Sequence, residues 1–436
     1  MNICDFMLQY SNYFNERLGI MVITKKLSCG ATVIMEKTDY VQSAALGIWI
    51  KAGAADEHDD VSGVSHYIEH MMFKGTESRT AKEIASDVDK IGGMFNAFTG
   101  KEATCYYIKT LSSNIYQGAE ILLDMLLNSK FDTEEMDKER QVIFEEIKMV
   151  KDTPDDDVYD TISELVSSGN PLGRNILGTP ESLSGIDRNK MLEYFNDKYA
   201  RDSIVIAVAG NFDEDKIVEM FEGRLNKLRD KKVTETLELK PYKQSFDVKV
   251  RDIEQTHICL ATPSVSLADE RYYSFVLLNS IFGGSMSSRL FQNIREEKGL
   301  AYSVCSMNVF SSYWGFFSIY AGVAHEKVKD TIDAIKFELE LLKNKGVTAE
   351  ELAMAKEQVK SSYIFGLENI NSRMFSIGKN ELLLGKVFSP EEVLSGFDKV
   401  TQEDILNAAS MVGDHSSYCG ASVTGNDFDL EGMVKA

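Results

Sequence analysis

The chain states one pattern twice, and that bounds what it can fold into. SLSGIDR at 182–188 returns as VLSGFDK at 393–399, 211 positions later. TEEMDKERQV at 133–142 returns as AEELAMAKEQV at 349–359 with one residue inserted, and AGNFD at 209–213 is echoed by TGNDFD at 424–429. The three matches keep their order in both halves. Two homologous domains joined head to tail account for this, and 436 residues exceed one ordinary hydrophobic core. The expected division is an extension over 1–20, a first domain over 21–230, a linker over 231–245 and a second domain over 246–436. The linker stretch, LRDKKVTETLELKPYKQS, is charged and carries Pro241, one of only six prolines.

Each half mixes the two hydrophobic periods. In the first half MVITKKLSCGATVIMEK reads as a first strand opening at Met21, and the strand candidates are GATVIME within it, AALGIWIKAGA, FNAFTGKEATCYYIKTL and SIVIAVAGNF. Helices are expected over 62–73, 80–91, 114–128, 133–151, 188–198 and 213–226, with Asp132 capping the fourth and Glu135 at its capping-box position. The second half predicts strands over 248–262, 301–310 and 313–323. Its predicted helices cover 269–282, 287–298, 325–344 and 349–366. There is no strict strand–helix–strand rhythm, so the expectation is α+β, with a largely antiparallel sheet packed by helices in each domain.

Composition removes several classes of function. Asp and Glu number 68 against 47 Lys and Arg, a formal net charge of −21 that repels a phosphate backbone and excludes nucleic acid as a natural partner. The longest apolar runs, AALGIWI and SIVIAVAG, are strand-length and far short of a membrane span. The first residues lack the basic start and apolar stretch of a signal peptide. Cys4, Cys29, Cys105, Cys259, Cys305 and Cys419 are scattered, with no C-x-x-C, so they read as reduced thiols.

Against six histidines in all, GVSHYIEHMM at 63–72 places two of them around an acid. On a helix His66, Glu69 and His70 share a face. Two imidazoles one turn apart can reach one cation, and the glutamate beside them can reach a water on it. The repeat sharpens this reading. At an offset of 209, His66 falls on Phe275, Glu69 on Leu278 and His70 on Asn279. Three titratable groups where the same fold accepts Phe and Leu are costly unless something compensates, and a bound cation would. A catalytic zinc takes three protein ligands and keeps one open position. For the third ligand, Asp56, His58, Asp59 and Asp60 stand nearby in DEHDD, which reads as a solvated loop. Glu139, Glu145 and Glu146 lie on the predicted helix over 133–151, Glu139 and Glu146 on one face. Spacing alone leaves the choice open.

HYIEH followed by ERQVIFEE, with Glu146 lying 76 positions after His70, resembles the pitrilysin–insulinase family of zinc peptidases, the inverzincins. The resemblance covers nearly the whole chain from residue 21. In length and duplication it is nearest the subgroup of the mitochondrial processing peptidase and its bacterial relatives. It implies one Zn²⁺ per chain on His66, His70 and Glu146, Glu69 as general base, and Glu139 behind the histidines. IREEKGLAY resembles a second family signature and implies that Arg295 binds the substrate backbone and Tyr302 steadies the scissile carbonyl. GGMFNAFTGKEATCYY resembles a third: an edge strand whose Asn96 and Ala97 contact an extended substrate. The implied protein is a clam-like endopeptidase for short or unfolded peptides, self-sufficient as a homodimer, in a bacterial cytoplasm or an organellar matrix. The rival readings are a non-catalytic scaffold subunit of the same fold and a metal protein using the histidine pair with a different third ligand.

Overall fold

The computed structural model describes residues 22–231 and 239–436. The expected extension over 1–20 lies outside the described residues, as does much of the expected linker.

The duplication is visible as two sheets of matching topology. The first contains β1 (Val22–Lys26), β2 (Thr32–Lys37), β3 (Ser43–Ile50), β4 (Met94–Thr99), β5 (Thr104–Leu111) and β6 (Ile204–Gly210). The second contains β7 (Phe246–Val250), β8 (Gln255–Ser264), β9 (Ala301–Phe310), β10 (Gly315–Ala324) and β11 (Cys419–Thr424). The orders are β1-β2-β6-β3-β5-β4 and β7-β11-β8-β10-β9. Without β1 they are the same order. Each has one parallel pair, β2 with β6 and β7 with β11, and is otherwise antiparallel. The architecture is therefore α+β and duplicated, as the repeats predict. Strand β4 pairs with β5 alone and forms an edge of its sheet.

Compactness does not follow chain order. The first compact unit runs to Phe144, resumes at Ile176, and also takes Phe365–Glu391; the second takes Glu145–Asn175, the chain from the linker to Ile364, and Glu392–Ala436. Two helices explain the exchange. Ile370–Leu384, from the second half of the chain, lays Ile370, Met374 and Ile377 on Ile34, Ala45, Trp49, Cys105 and Ala207 of the first sheet. Pro154–Ser167, from the first half, lays Val158, Ile162 and Val166 on Cys259, Ala261, Tyr320 and Ala421 of the second. The exchanged helix covers one face of the inner strands of its sheet, and β6 is buried along its length, whereas the edge strand β4 keeps alternate residues exposed.

The exchanged helix seats closely on the first sheet. A Cβ at Gly378 would collide with the Trp49 indole, and one at Gly47 would come within 2.5 Å of Met374 Sδ. Gly378→Ala is expected to destabilise the protein by about 1–3 kcal/mol through overpacking, read as a lowered urea midpoint.

Several elements depart from expectation. The predicted strand over 248–262 is two strands, β7 and β8, separated by a turn at 251–254 and, in the sheet, by β11. The apolar alternation runs through the turn, so the break is not visible in the pattern. The helix expected over 213–226 ends at Phe221, before Gly223 turns the chain at φ 72°. The helix expected over 287–298 is a π-helix over Phe291–Glu297. The five cysteines among the described residues are free thiols. No helix among them is long and apolar enough to cross a membrane.

Candidate metal centre

The helix Val64–Met72 is built to turn three polar residues outward. Val64, Ser65, Tyr67, Ile68, Met71 and Met72 are buried, whereas His66, Glu69 and His70 are partly exposed. Its start is fixed by Glu57, only 2% exposed, whose two carboxylate oxygens accept from the amides of Gly63 (2.7 Å) and Ser65 (2.8 Å). A carboxylate there satisfies orphan amides and opposes the positive end of the helix dipole. Gly63 stands at φ 89°, with Leu177 O 2.6 Å from where a Cβ would sit, so only glycine fits the entry. The expectation that DEHDD is a solvated loop fails at Glu57, which is a buried cap.

The imidazoles of His66 and His70 meet edge to face with centroids 4.6 Å apart. His70 Nδ1 lies 3.0 Å from Glu139 Oε2, and Lys74 Nζ lies 2.7 Å from Glu139 Oε1. Glu139 is 7% exposed and sits on the helix Thr133–Asp152. That helix begins as expected, with Asp132 Oδ1 accepting from the amides of Glu134 (3.0 Å) and Glu135 (3.2 Å). It is tied to the histidine helix by the Tyr67 hydroxyl, which donates to Met136 O. Burial, and then the neighbouring His70, pull His66 down to about 3, so its ring is neutral and able to donate a lone pair at physiological pH.

Among the described residues, His66, His70 and Glu146 form a group whose donor atoms all lie within 4.8 Å of one another. Two imidazole nitrogens and one carboxylate oxygen match the donor set of catalytic zinc sites, so the residues present fit the ion. The alternatives are otherwise engaged. Glu145 is exposed and pairs with Lys148 at 2.6 Å, and Asp60 faces Lys190 at 3.5 Å. With Nδ1 of His70 held by Glu139, its Nε2 is the nitrogen left to face a cation. Glu139→Gln is expected to weaken zinc affinity by about 10- to 100-fold, measured by competition with a chromophoric chelator, because ring orientation then loses its anchor.

Three residues at the site, Thr99, Tyr106 and Tyr199, were not expected from the sequence. The Thr99 hydroxyl, at the end of β4, donates to Glu69 Oε2. Beneath them the hydroxyls of Tyr106 and Tyr199 stand 2.9 Å apart, both driven upward in pKa by burial. No local motif marks Thr99; only its place three residues past Asn96 hints at it. Asn96 and Ala97 lie on the edge strand β4, opposite Tyr107 and Tyr106 of β5. In the second unit Arg295 and Tyr302 do meet: the guanidinium carbon lies 5.5 Å from the Tyr302 ring centre and 4.7 Å from that of Phe291. Tyr302 is 77% exposed.

Residues 32–180 match the family model described as insulinase (peptidase family M16), and residues 185–359 match the peptidase M16 inactive domain. The chain is 39% identical over 387 residues to an uncharacterized zinc protease of Bacillus subtilis, YmxG, covering 88% of this chain and 94% of that one. It is 40% identical over 411 residues to an uncharacterized zinc protease of Rickettsia felis, covering 94% and 98%. Two solved structures share the fold. The peptidase M16 inactive domain from Pseudomonas fluorescens gives a TM-score of 0.87 at 18% identity, covering 93% of this chain and 98% of that one. A protease from Helicobacter pylori gives 0.86 at 21%, covering 93% and 99%. The chain belongs to the M16, or insulinase, family of peptidases.

Proposed function

We propose that this protein is a zinc-dependent endopeptidase that hydrolyses short or unfolded peptides. The observation that carries the reading is the convergence of His66, His70 and Glu146, with Glu69 on the same helix face. Bound zinc would supply Lewis acidity toward water and toward the scissile carbonyl. His66, His70 and Glu146 hold the ion, and Glu139 orients His70. Glu69 removes a proton from the attacking water and returns it to the leaving amine. Strand β4 offers its open edge, at Asn96 and Ala97, to an extended substrate, a mode that reads shape more than side chains and suits broad specificity. Arg295 holds the substrate backbone, and the Tyr302 hydroxyl donates to the oxyanion as charge develops on it.

The test is cleavage of a panel of unfolded peptides with and without chelator, alongside metal analysis of wild type and Glu146→Gln. Cleavage is expected to stop on chelation and return with zinc, and Glu146→Gln is expected to lose its metal. Chelator-insensitive cleavage, or full metal content in Glu146→Gln, would overturn the assignment. A scaffold subunit of the same fold would cleave nothing under any of these conditions.

A further inference from the structure

We propose that Thr99 is a positioning residue for Glu69, and that through it the edge strand β4 sets the orientation of the catalytic carboxylate. The inference rests on the reading of Glu69 as the general base.

The placement is specific. Side chains alternate along β4, so Phe95, Ala97 and Thr99 share one face. At one end of that face the Phe95 ring lies 5.2 Å from Phe73, three positions beyond His70. At the other end the Thr99 hydroxyl donates to Glu69 Oε2. The strand therefore touches the histidine helix at Glu69 and again just past His70. Thr99 is held from behind as well. Gly100 N donates to Ala103 O at 2.8 Å, closing the turn into β5, and the amides of Ala54 and Ala55 donate to Gly100 O (3.2 Å) and Lys101 O (2.8 Å). The approach is so close that a Cβ at Gly53 would lie 2.7 Å from Lys101 O. A β-branched side chain on an anchored backbone has few rotamers, so its hydroxyl is a fixed point.

A hydroxyl donor does not make a carboxylate a stronger base. What it supplies is geometry: one oxygen is held, and the plane of the carboxylate is set for proton transfer. Because Asn96 and Ala97 sit three and two residues before Thr99, a peptide adding to the free edge of β4 stiffens the same strand that holds the base. Substrate docking and base orientation then share one element.

The experiment is steady-state hydrolysis of an unfolded peptide by the zinc-loaded wild type, Thr99→Val, Thr99→Ser and Thr110→Val, with metal content and thermal midpoint measured for each. Thr110 on β5 is the control, since its hydroxyl also bonds within the fold, to Ile91 O at 2.9 Å, away from Glu69. Thr99→Val is expected to lower kcat by about 10- to 100-fold with KM and metal content unchanged. Thr99→Ser is expected to restore kcat to within about threefold, and Thr110→Val to leave it at the wild-type value. An unchanged kcat in Thr99→Val overturns the inference. So does a loss of kcat that follows lost metal, or one that Thr110→Val reproduces. If Thr99→Val does not fold, Thr99→Ala set against Thr99→Ser decides the same question. An inactive wild type sinks the peptidase reading and this inference with it, whereas an active wild type with an indifferent Thr99→Val sinks this inference alone.

Discussion

Glu69→Gln is expected to lower kcat for peptide hydrolysis by about 10²- to 10⁴-fold while zinc content stays at the wild-type level. Glutamine keeps the shape and the hydrogen-bonding capacity toward Thr99 but cannot accept the proton that leaves water. Glu69 lies outside the donor group formed by His66, His70 and Glu146, so its loss leaves the ligand set intact. Activity and metal content should therefore separate in this variant and fall together in His70→Ala or Glu146→Gln. Steady-state kinetics with metal analysis on each preparation distinguishes the two patterns. Wild-type turnover in Glu69→Gln would remove Glu69 from the mechanism.

The second large effect is expected in stability, far from the metal. Arg373→Met should destabilise the protein by about 3–5 kcal/mol, because it strands the carboxylate of Glu36 in the interior. Glu36 on β2 is 5% exposed and Arg373 on the exchanged helix 3%, and the two form an ion pair across the first sheet. Burial raises the Glu36 pKa, and Arg373 opposes that shift. Without the guanidinium the folded-state pKa rises further above its unfolded value of 4.5. The penalty is then small near the unfolded pKa, where Glu36 binds a proton, and grows as pH rises through the folded pKa. Urea unfolding followed through Trp49 should show a larger loss at pH 8 than at pH 5. Glu36→Leu combined with Arg373→Met should recover most of the stability, since an apolar pair of similar volume replaces the ions. An Arg373→Met protein as stable as wild type at pH 8 would show that the pair contributes nothing.

The sequence was legible where local periodicity and the repeat spoke together. β2, β3, β5 and β6, and the helices at 64–72 and 133–152, lie close to where alternation and capping place them. The donor group was legible because a helix fixes i, i+3 and i+4, and because the second copy puts Phe275 and Leu278 where the first has His66 and Glu69. Strand β11 was missed because CGASVT is too small and mixed to announce a strand. The match of TGNDFD to AGNFD, which follows β6, held the signal. Helices 154–167 and 370–384 were missed because their apolar stripes are short and interrupted by charge. Glu57 and Thr99 could not be found locally, since each acts through a partner brought near only by tertiary folding.

The traded helices also bear on how the two halves depend on each other. Pro154–Ser167 and Ile370–Leu384 occupy equivalent places in the repeat, as do Thr133–Asp152 and Ala349–Leu367, so the trade is reciprocal. A chain severed between 232 and 238 would yield two fragments, each with a naked sheet and a greasy helix lacking its seat. Each fragment is expected to fold poorly alone, and made together each would supply the helix that the other lacks. A gene that arose by doubling has in this way become indivisible, because each copy keeps part of its sibling's interior.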